Sequence, residues 1–147
     1  VAGAFVAGDT RVIEWLLNTA RSYIFTTAAA PDIACAVLKS IDLIERGDAL
    51  RAQLAERIGQ WRSGITPLAA ERGWQLADSA SAIQPLIVGE NKTVVDLSAA
   101  LESRGIWAPA IRPPTVPLGT ARLRVSLSAA HAPEDVNVLL AALKELP

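Results

Sequence analysis

The stretch from residue 110 to residue 128 constrains this 147-residue chain more than any other. It runs Ala-Ile-Arg-Pro-Pro-Thr-Val-Pro-Leu-Gly and then Thr-Ala-Arg-Leu-Arg-Val-Ser-Leu-Ser. Pro113, Pro114 and Pro117 fix φ and are expected to hold their segment extended, so that Arg112 sits on a stiff support. Gly119 permits a turn. Beyond it Leu123, Val125 and Leu127 alternate with Arg122, Arg124 and Ser126, which is the pattern of a central strand with one apolar and one polar face. Two arginines on one side of such a strand are costly unless an anion meets at least one of them. A carboxylate suits best, because a guanidinium offers it two parallel hydrogen bonds and an ammonium does not. Internal ion pairs with Asp or Glu, or plain exposure to water, remain the alternatives at this point.

Composition narrows the class. Apolar residues make up 51% of the chain, and the mean hydropathy is +0.30. That implies either a large core or apolar surface meant for a partner. No apolar run is long enough to span a bilayer, and no charged stretch leads into a signal-type segment, so no membrane partner is expected. The net charge is −1, and no basic stripe invites nucleic acid. Cys35 is the single cysteine, which excludes an internal disulfide and points to a reducing, cytoplasmic setting. The sequence holds no metal-ligand cluster, no glycine-rich nucleotide loop and no Ser/His/Asp set. It lacks methionine, even at residue 1, and opens on Val-Ala-Gly-Ala-Phe-Val-Ala-Gly. That start reads as an internal cut in a longer polypeptide.

Periodicity supplies the elements. Phe5 and Val6, between Gly3 and Gly8, read as the end of a buried strand. Asp9 offers an N-cap, and Val12, Trp15, Leu16 and Ala20 predict a helix over residues 10–22. A loop Tyr23-Ile24-Phe25-Thr26-Thr27 follows, then a helix from Pro31 through Val37, Ile41 and Ile44 to Gly47. Cys35 on that helix reads as core. Asp48 opens a further helix, with Leu50, Leu54, Ile58 and Trp61 on one face and a weakening or kink at Gly64 and Pro67. Leu86-Ile87-Val88 is a short strand in which Pro85 suggests an edge or bulge. Val94, Leu97 and Leu101 mark a helix stopped by Gly105. Residues 107–111 read as a strand. Val136, Leu139, Leu140 and Leu143 form a last helix behind Pro133, Glu134 and Asp135. The predicted division is residues 1–47 and 48–147, the first too small to close a core. Thr26 and Thr27, near a helix start, are either loop and cap residues or ligands for a phosphate. His131 reads as structural.

Three segments carry a family resemblance. They are Ser81-Ala82-Ile83-Gln84-Pro85-Leu86-Ile87-Val88-Gly89, Ile111-Arg112-Pro113-Pro114-Thr115-Val116-Pro117, and residues 120–131 from Thr120 to His131. They closely resemble the C-terminal half of 8-amino-7-oxononanoate synthases, and Tyr23-Ile24-Phe25-Thr26-Thr27 looks like the matching upstream loop. The Leu-Arg strand is shared with other α-oxoamine synthases: glycine acetyltransferase, 5-aminolevulinate synthase and serine palmitoyltransferase. The other two segments favour the biotin-pathway member.

The resemblance implies an α/β fold-type-I pyridoxal-phosphate transferase working as a homodimer with active sites at the subunit interface. Residues 1–47 would be the C-terminal end of its cofactor-binding large domain. Residues 48–147 would be its small C-terminal domain, a short and largely antiparallel sheet packed on helices. The implied reaction is the decarboxylative condensation of L-alanine with a pimeloyl thioester of coenzyme A or acyl carrier protein. Arg124 matches the arginine that holds the alanine carboxylate. Arg112 and Thr115 match positions on the acyl side, and Thr27, with Thr26 as substitute, matches a hydroxyl that reaches the cofactor phosphate of the neighbouring subunit. The family's Schiff-base lysine is expected before Val1, because Lys39, Lys92 and Lys144 do not match its motif; the piece alone should then be inactive. The rival outside the family is a non-catalytic α/β binding or oligomerisation module.

Overall fold

The computed structural model describes residues 5–28 and 30–146. It divides into two compact units, residues 1–48 and 49–147.

The first unit contains α1 (Thr10–Thr19), α2 (Arg21–Ile24) and α3 (Pro31–Glu45). Asp9 caps α1, its carboxylate accepting the Arg11 N–H at 2.9 Å. The helix expected over residues 10–22 is broken at Ala20, where ψ is 97°. Polar side chains in the last turn explain the break. Asn18 Nδ2 and Thr19 Oγ1 each donate at 2.7 Å to the carbonyls of Glu14 and Trp15, four residues back. Such bonds compete with the backbone ladder. Pro31 opens α3 from its first turn, where its missing N–H costs nothing. None of the three helices buries a residue. Phe5 and Val6 belong to no strand and are 79% and 69% exposed, which corrects the buried strand end read there; Gly3 lies outside the described residues. Cys35 is exposed as well, on a helix that buries none of its residues, which corrects the reading of that position as core.

The second unit is built on a four-stranded antiparallel sheet in the order β1-β2-β4-β3. Its strands are β1 (Gln75–Leu76), β2 (Ile83–Gly89), β3 (Ala110–Ile111) and β4 (Ala121–Ser126). Three helices accompany it: α4 (Asp48–Arg72), α5 (Asn91–Glu102) and α6 (Pro133–Glu145). The period-two reading of residues 122–127 holds: Leu123, Val125 and Leu127 are buried, whereas Arg124 and Ser126 are exposed. Val94, Leu97 and Leu101 of α5 and Val136, Leu139, Leu140 and Leu143 of α6 are all buried, as their helical spacing requires.

Four details depart from the sequence reading. First, α4 runs unbroken through Gly64 and Pro67, because Trp61, Ile65, Leu68 and Ala69 anchor it in the core on both sides. Gly64 is a notch for α6: a Cβ there would lie 2.3 Å from Leu140 Cδ1. Second, β2 is an interior strand, not an edge. Pro85 makes its mark on β1 instead. Its carbonyl accepts the Ala77 N–H at 3.1 Å. Lacking an N–H, it cannot return the bond, so pairing stops at Leu76. A bulge does occur, between Ile87 and Gly89. Third, the strand expected over residues 107–111 shrinks to β3, and Trp107 is 75% exposed. Its ladder starts only where Arg124 N–H meets Pro109 O at 2.9 Å. Fourth, the proline segment is not extended. Arg112 O accepts the Thr115 N–H at 3.1 Å, closing a turn that contains a cis Pro113–Pro114 bond.

Candidate functional site

Strand pairing decides what surrounds each arginine. On an antiparallel sheet, directly opposed residues share a face. Arg124 is opposed to Pro85, Arg122 to Ile87 on one side and Ile111 on the other, and Ser126 to Ile83. The opposite face, with Leu86 and Leu123, is the core side. The arginine face therefore offers no carboxylate in any of these opposed pairs. The Arg124 side chain is exposed and has no hydrogen-bond or ion-pair partner among the described residues. A guanidinium with its five donors unclaimed, standing on a rigid interior strand, is a ready receiver for a carboxylate.

Arg122 differs. It is half-buried, with Nε donating to Thr120 O at 2.9 Å and Nη2 to Thr120 Oγ1 at 3.0 Å. Arg112 follows β3 directly and is exposed, also without a side-chain partner among the described residues. The β3–β4 ladder ends at Ile111 opposite Arg122, so Arg112 begins the turn beyond it; one further step of that register would oppose it to buried Ala121, on the other face from Arg124. Thr115 is exposed in the turn that Arg112 starts. Arg124 thus stands on the open face of β4, whereas Arg112 and Thr115 stand in the turn after β3, and the strand register does not bring them to one face.

Thr26 and Thr27 belong to the first unit and are exposed just ahead of α3. The Thr26 N–H donates to Tyr23 O at 3.2 Å. Ala30, the N-cap of α3, provides no side-chain cap; Pro31 has no N–H and the Ile33 N–H donates to Ala30 O at 3.1 Å, which leaves the Asp32 N–H as the first-turn donor without a partner among the described residues.

His131 Nδ1 accepts the Ser128 N–H at 3.1 Å, which ties the turn between β4 and α6. His131 borders a cleft of about 410 Å³ together with Trp107, Val125 and Leu139; neither Arg112 nor Arg124 lines that cleft. The described residues contain no group of acids, His and Cys able to hold a metal, and no helix long and apolar enough to cross a membrane. The lysines are on helices; Lys39 pairs with Asp42 at 2.6 Å and Lys92 with Asp96.

One feature of the site's support escaped the sequence reading. Gln84 is 1% exposed. It accepts from Arg62 Nη1 at 2.9 Å and donates to Ser79 O and Ser81 O at 2.9 and 2.8 Å. The signal was there, a lone amide inside the apolar run Ile83-Gln84-Pro85-Leu86-Ile87.

Comparison with known proteins bears on the same residues. The family model for class I and II aminotransferases matches residues 1–143. The 8-amino-7-oxononanoate synthase of Dechloromonas aromatica (strain RCB) is 61% identical over 146 residues, covering 99% of this chain and 37% of that protein. The synthase of the same name from Delftia acidovorans (strain DSM 14801 / SPH-1) is 56% identical over 146 residues, covering 99% of this chain and 36% of its own length. The chain thus spans little more than a third of these relatives. Among solved structures, the 8-amino-7-oxononanoate synthase of Francisella tularensis superposes with a TM-score of 0.76 at 25% identity, over 93% of this chain and 39% of that one. Serine palmitoyltransferase of Sphingomonas wittichii gives 0.77 at 28% identity, over 92% and 33%. The likeness bears out the expected fold class, that of the fold-type-I pyridoxal-phosphate enzymes, with a short antiparallel sheet packed on helices.

Proposed function

The chain belongs to the class I and II aminotransferase family, and from that premise we propose that it forms part of an 8-amino-7-oxononanoate synthase, which joins L-alanine to a pimeloyl thioester with loss of carbon dioxide. The observation that carries the reading is the unpartnered guanidinium of Arg124 on the open face of an interior strand. In this reading residues 1–47 end the large domain, residues 48–147 form the small domain, and the enzyme is a cytoplasmic homodimer. The lysine that binds the cofactor lies in polypeptide preceding Val1.

Pyridoxal phosphate, when bound, supplies an electron sink for the amino acid's α-carbon. The residues present suit its phosphate end: the hydroxyls of Thr27 and Thr26 stand exposed beside the side-chain-uncapped start of α3. Arg124 grips the alanine carboxylate in two parallel hydrogen bonds. That grip fixes rotation about the bond to the α-carbon, so the bond to be broken is held at a set angle. Arg112, on the turn with Thr115, meets the far carboxylate of the pimeloyl chain. In this reading the two cations, one on β4 and one in the turn after β3, serve two different acids. The thioester is carried by coenzyme A or by acyl carrier protein.

The test is a substrate-resolved pair of variants in the full-length enzyme. Arg124→Ala lowers kcat/KM for alanine by about 100-fold, the equivalent of two hydrogen bonds to a charged group. Arg112→Ala raises KM for the pimeloyl thioester and leaves alanine nearly untouched. Wild-type alanine kinetics in Arg124→Ala sink the assignment; an alanine defect in Arg112→Ala means that the two roles are exchanged.

A further inference from the structure

Arg122 shares a face with Arg124, yet its head group is committed elsewhere. Its two hydrogen bonds both run to residue 120, back along the chain and away from Arg124. Thr120 passes the connection on: its hydroxyl and its backbone N–H both donate to Pro117 O, at 2.8 and 3.2 Å. Between them Gly119 takes φ +75°, a left-handed value that only glycine adopts freely. The Gly119 carbonyl in turn lies against Gly89, where an added Cβ would sit 3.5 Å from it, an ordinary contact distance. Gly89 belongs to the bulged end of β2, whose partner there is Ala121. The far end of the loop is closed by the Arg112–Thr115 bond. Residues 112–120 are therefore held at both ends, and the clasp at the second end is made by a half-buried arginine that stands between Ile87 and Ile111.

We propose that Arg122 is a positioning residue: through Thr120 it sets the loop that carries Arg112 and Thr115, and so governs how the acyl substrate is held. The proposal rests on reading that loop as the acyl side of the site. Three physical points support it. The arginine is bound by neutral acceptors, so its charge is not cancelled and adds to the positive potential of the arginine face. Its fork spans two acceptors on one residue, which a lysine cannot do at once with the same geometry. And turning its head toward Thr120 removes a second guanidinium from competition for the carboxylate that Arg124 receives.

The experiment uses the full-length holoenzyme with four variants: Thr120→Val, Thr120→Ser, Arg122→Lys and Arg112→Ala. Valine keeps the shape of threonine and removes the hydroxyl; serine restores it. Two quantities are read, amide hydrogen exchange over residues 113–120 and separate KM values for alanine and for pimeloyl-coenzyme A. Thr120→Val and Arg122→Lys are expected to speed exchange in the loop and to raise the thioester KM by about threefold to tenfold, the loss of one or two hydrogen bonds that water partly replaces. Alanine KM stays within about twofold, and Thr120→Ser behaves as wild type. Unchanged loop exchange in Thr120→Val overturns the clasp. Faster exchange with an unchanged thioester KM overturns the positioning role, provided that Arg112→Ala does raise that KM. If Arg112→Ala leaves it unchanged too, the acyl-side reading itself has failed, and the exchange data still decide the clasp.

Discussion

Two helices in this molecule begin with the same local instructions and end differently. α3 has Pro31 and Asp32 in its first turn and buries none of its 15 residues. α6 has Pro133, Glu134 and Asp135 in its first turn and buries five of its 13. Both form, because proline and acids at the start favour a helix whatever lies beside it. α6 packs on a layer, where Gly64 of α4 opens a notch for Leu140, whereas among the described residues α3 buries none of its own. The lesson is that helix and core are separate decisions, the first local and the second tertiary. The apolar face of α3, where Leu38 and Ile44 are well exposed, fits the proposal that residues 1–47 finish a larger domain.

The comparison breaks most directly on tryptophan. Trp61 is fully buried in the second unit, and Trp15 is 64% exposed in the first. In urea unfolding followed by circular dichroism, Trp61→Ala should cost about 3–5 kcal/mol, through lost transfer energy and the cavity left behind. Trp15→Ala should stay within about 0.5 kcal/mol. Equal costs would mean that the two units do not differ in packing as described.

A smaller effect sharpens the same contrast with polar groups. Gln84→Ala removes the acceptor of Arg62 and the donor to two carbonyls inside the second unit. Leaving such groups unpaired should cost about 1–3 kcal/mol. In the first unit, Asp42 pairs with Lys39 and Arg46, both at 2.6 Å and both on exposed cations. Asp42→Ala should cost no more than about 1 kcal/mol, because water and side-chain entropy offset surface pairs. A Gln84 variant as stable as wild type would demote that network to decoration.

How much of this was legible beforehand follows the same division. The β4 alternation and the apolar stripes of α5 and α6 were readable because period 2 and period 3.6 are written by burial itself. The arginine face was readable for the same reason: once Leu123 and Val125 point inward, Arg122 and Arg124 must point outward. What was not readable came from long-range partners. Pro85 looked like a sign of an edge or a bulge, and only the pairing on both sides shows an interior strand, bulged further along and next to a short neighbour. Gly64 looked like a weak point, because the notch it makes depends on a side chain 76 residues later. Cys35 looked like core because its neighbours are apolar, and apolar neighbours do not supply a cover. The different fates of Arg122 and Arg124 rest on a threonine hydroxyl two residues from one of them, which no periodicity reports.

The smallest effect compares one device used in both units, a carboxylate capping a helix. Asp9 caps α1, and its pKa lies below the ordinary 3.8 because the Arg11 side chain and backbone N–H hydrogen-bond its charged form. Glu90 caps α5, and its pKa lies below the ordinary 4.5, chiefly through the Thr93 hydroxyl and backbone N–H. A folded pKa below the unfolded one means that the unfolded chain binds protons more readily. Each cap therefore contributes fully above its ordinary value and is lost as pH falls through the lower folded one. Both groups are fully exposed, so the contribution is modest and weakens with salt. The consequence should nevertheless differ. When its cap protonates, α1 has no buried residue to hold it and should fray. α5 is held by Val94, Leu97 and Leu101 and should not. Residue-resolved carbon chemical shifts, followed from about pH 5 to about pH 2, read both helices in one sample. Asp9→Asn supplies the control, since asparagine caps as well as aspartate but does not titrate; it should leave α1 insensitive to acid. If α1 and α5 instead lose helicity together, burial is not what separates the two regions, and α3 and α6 must differ for another reason.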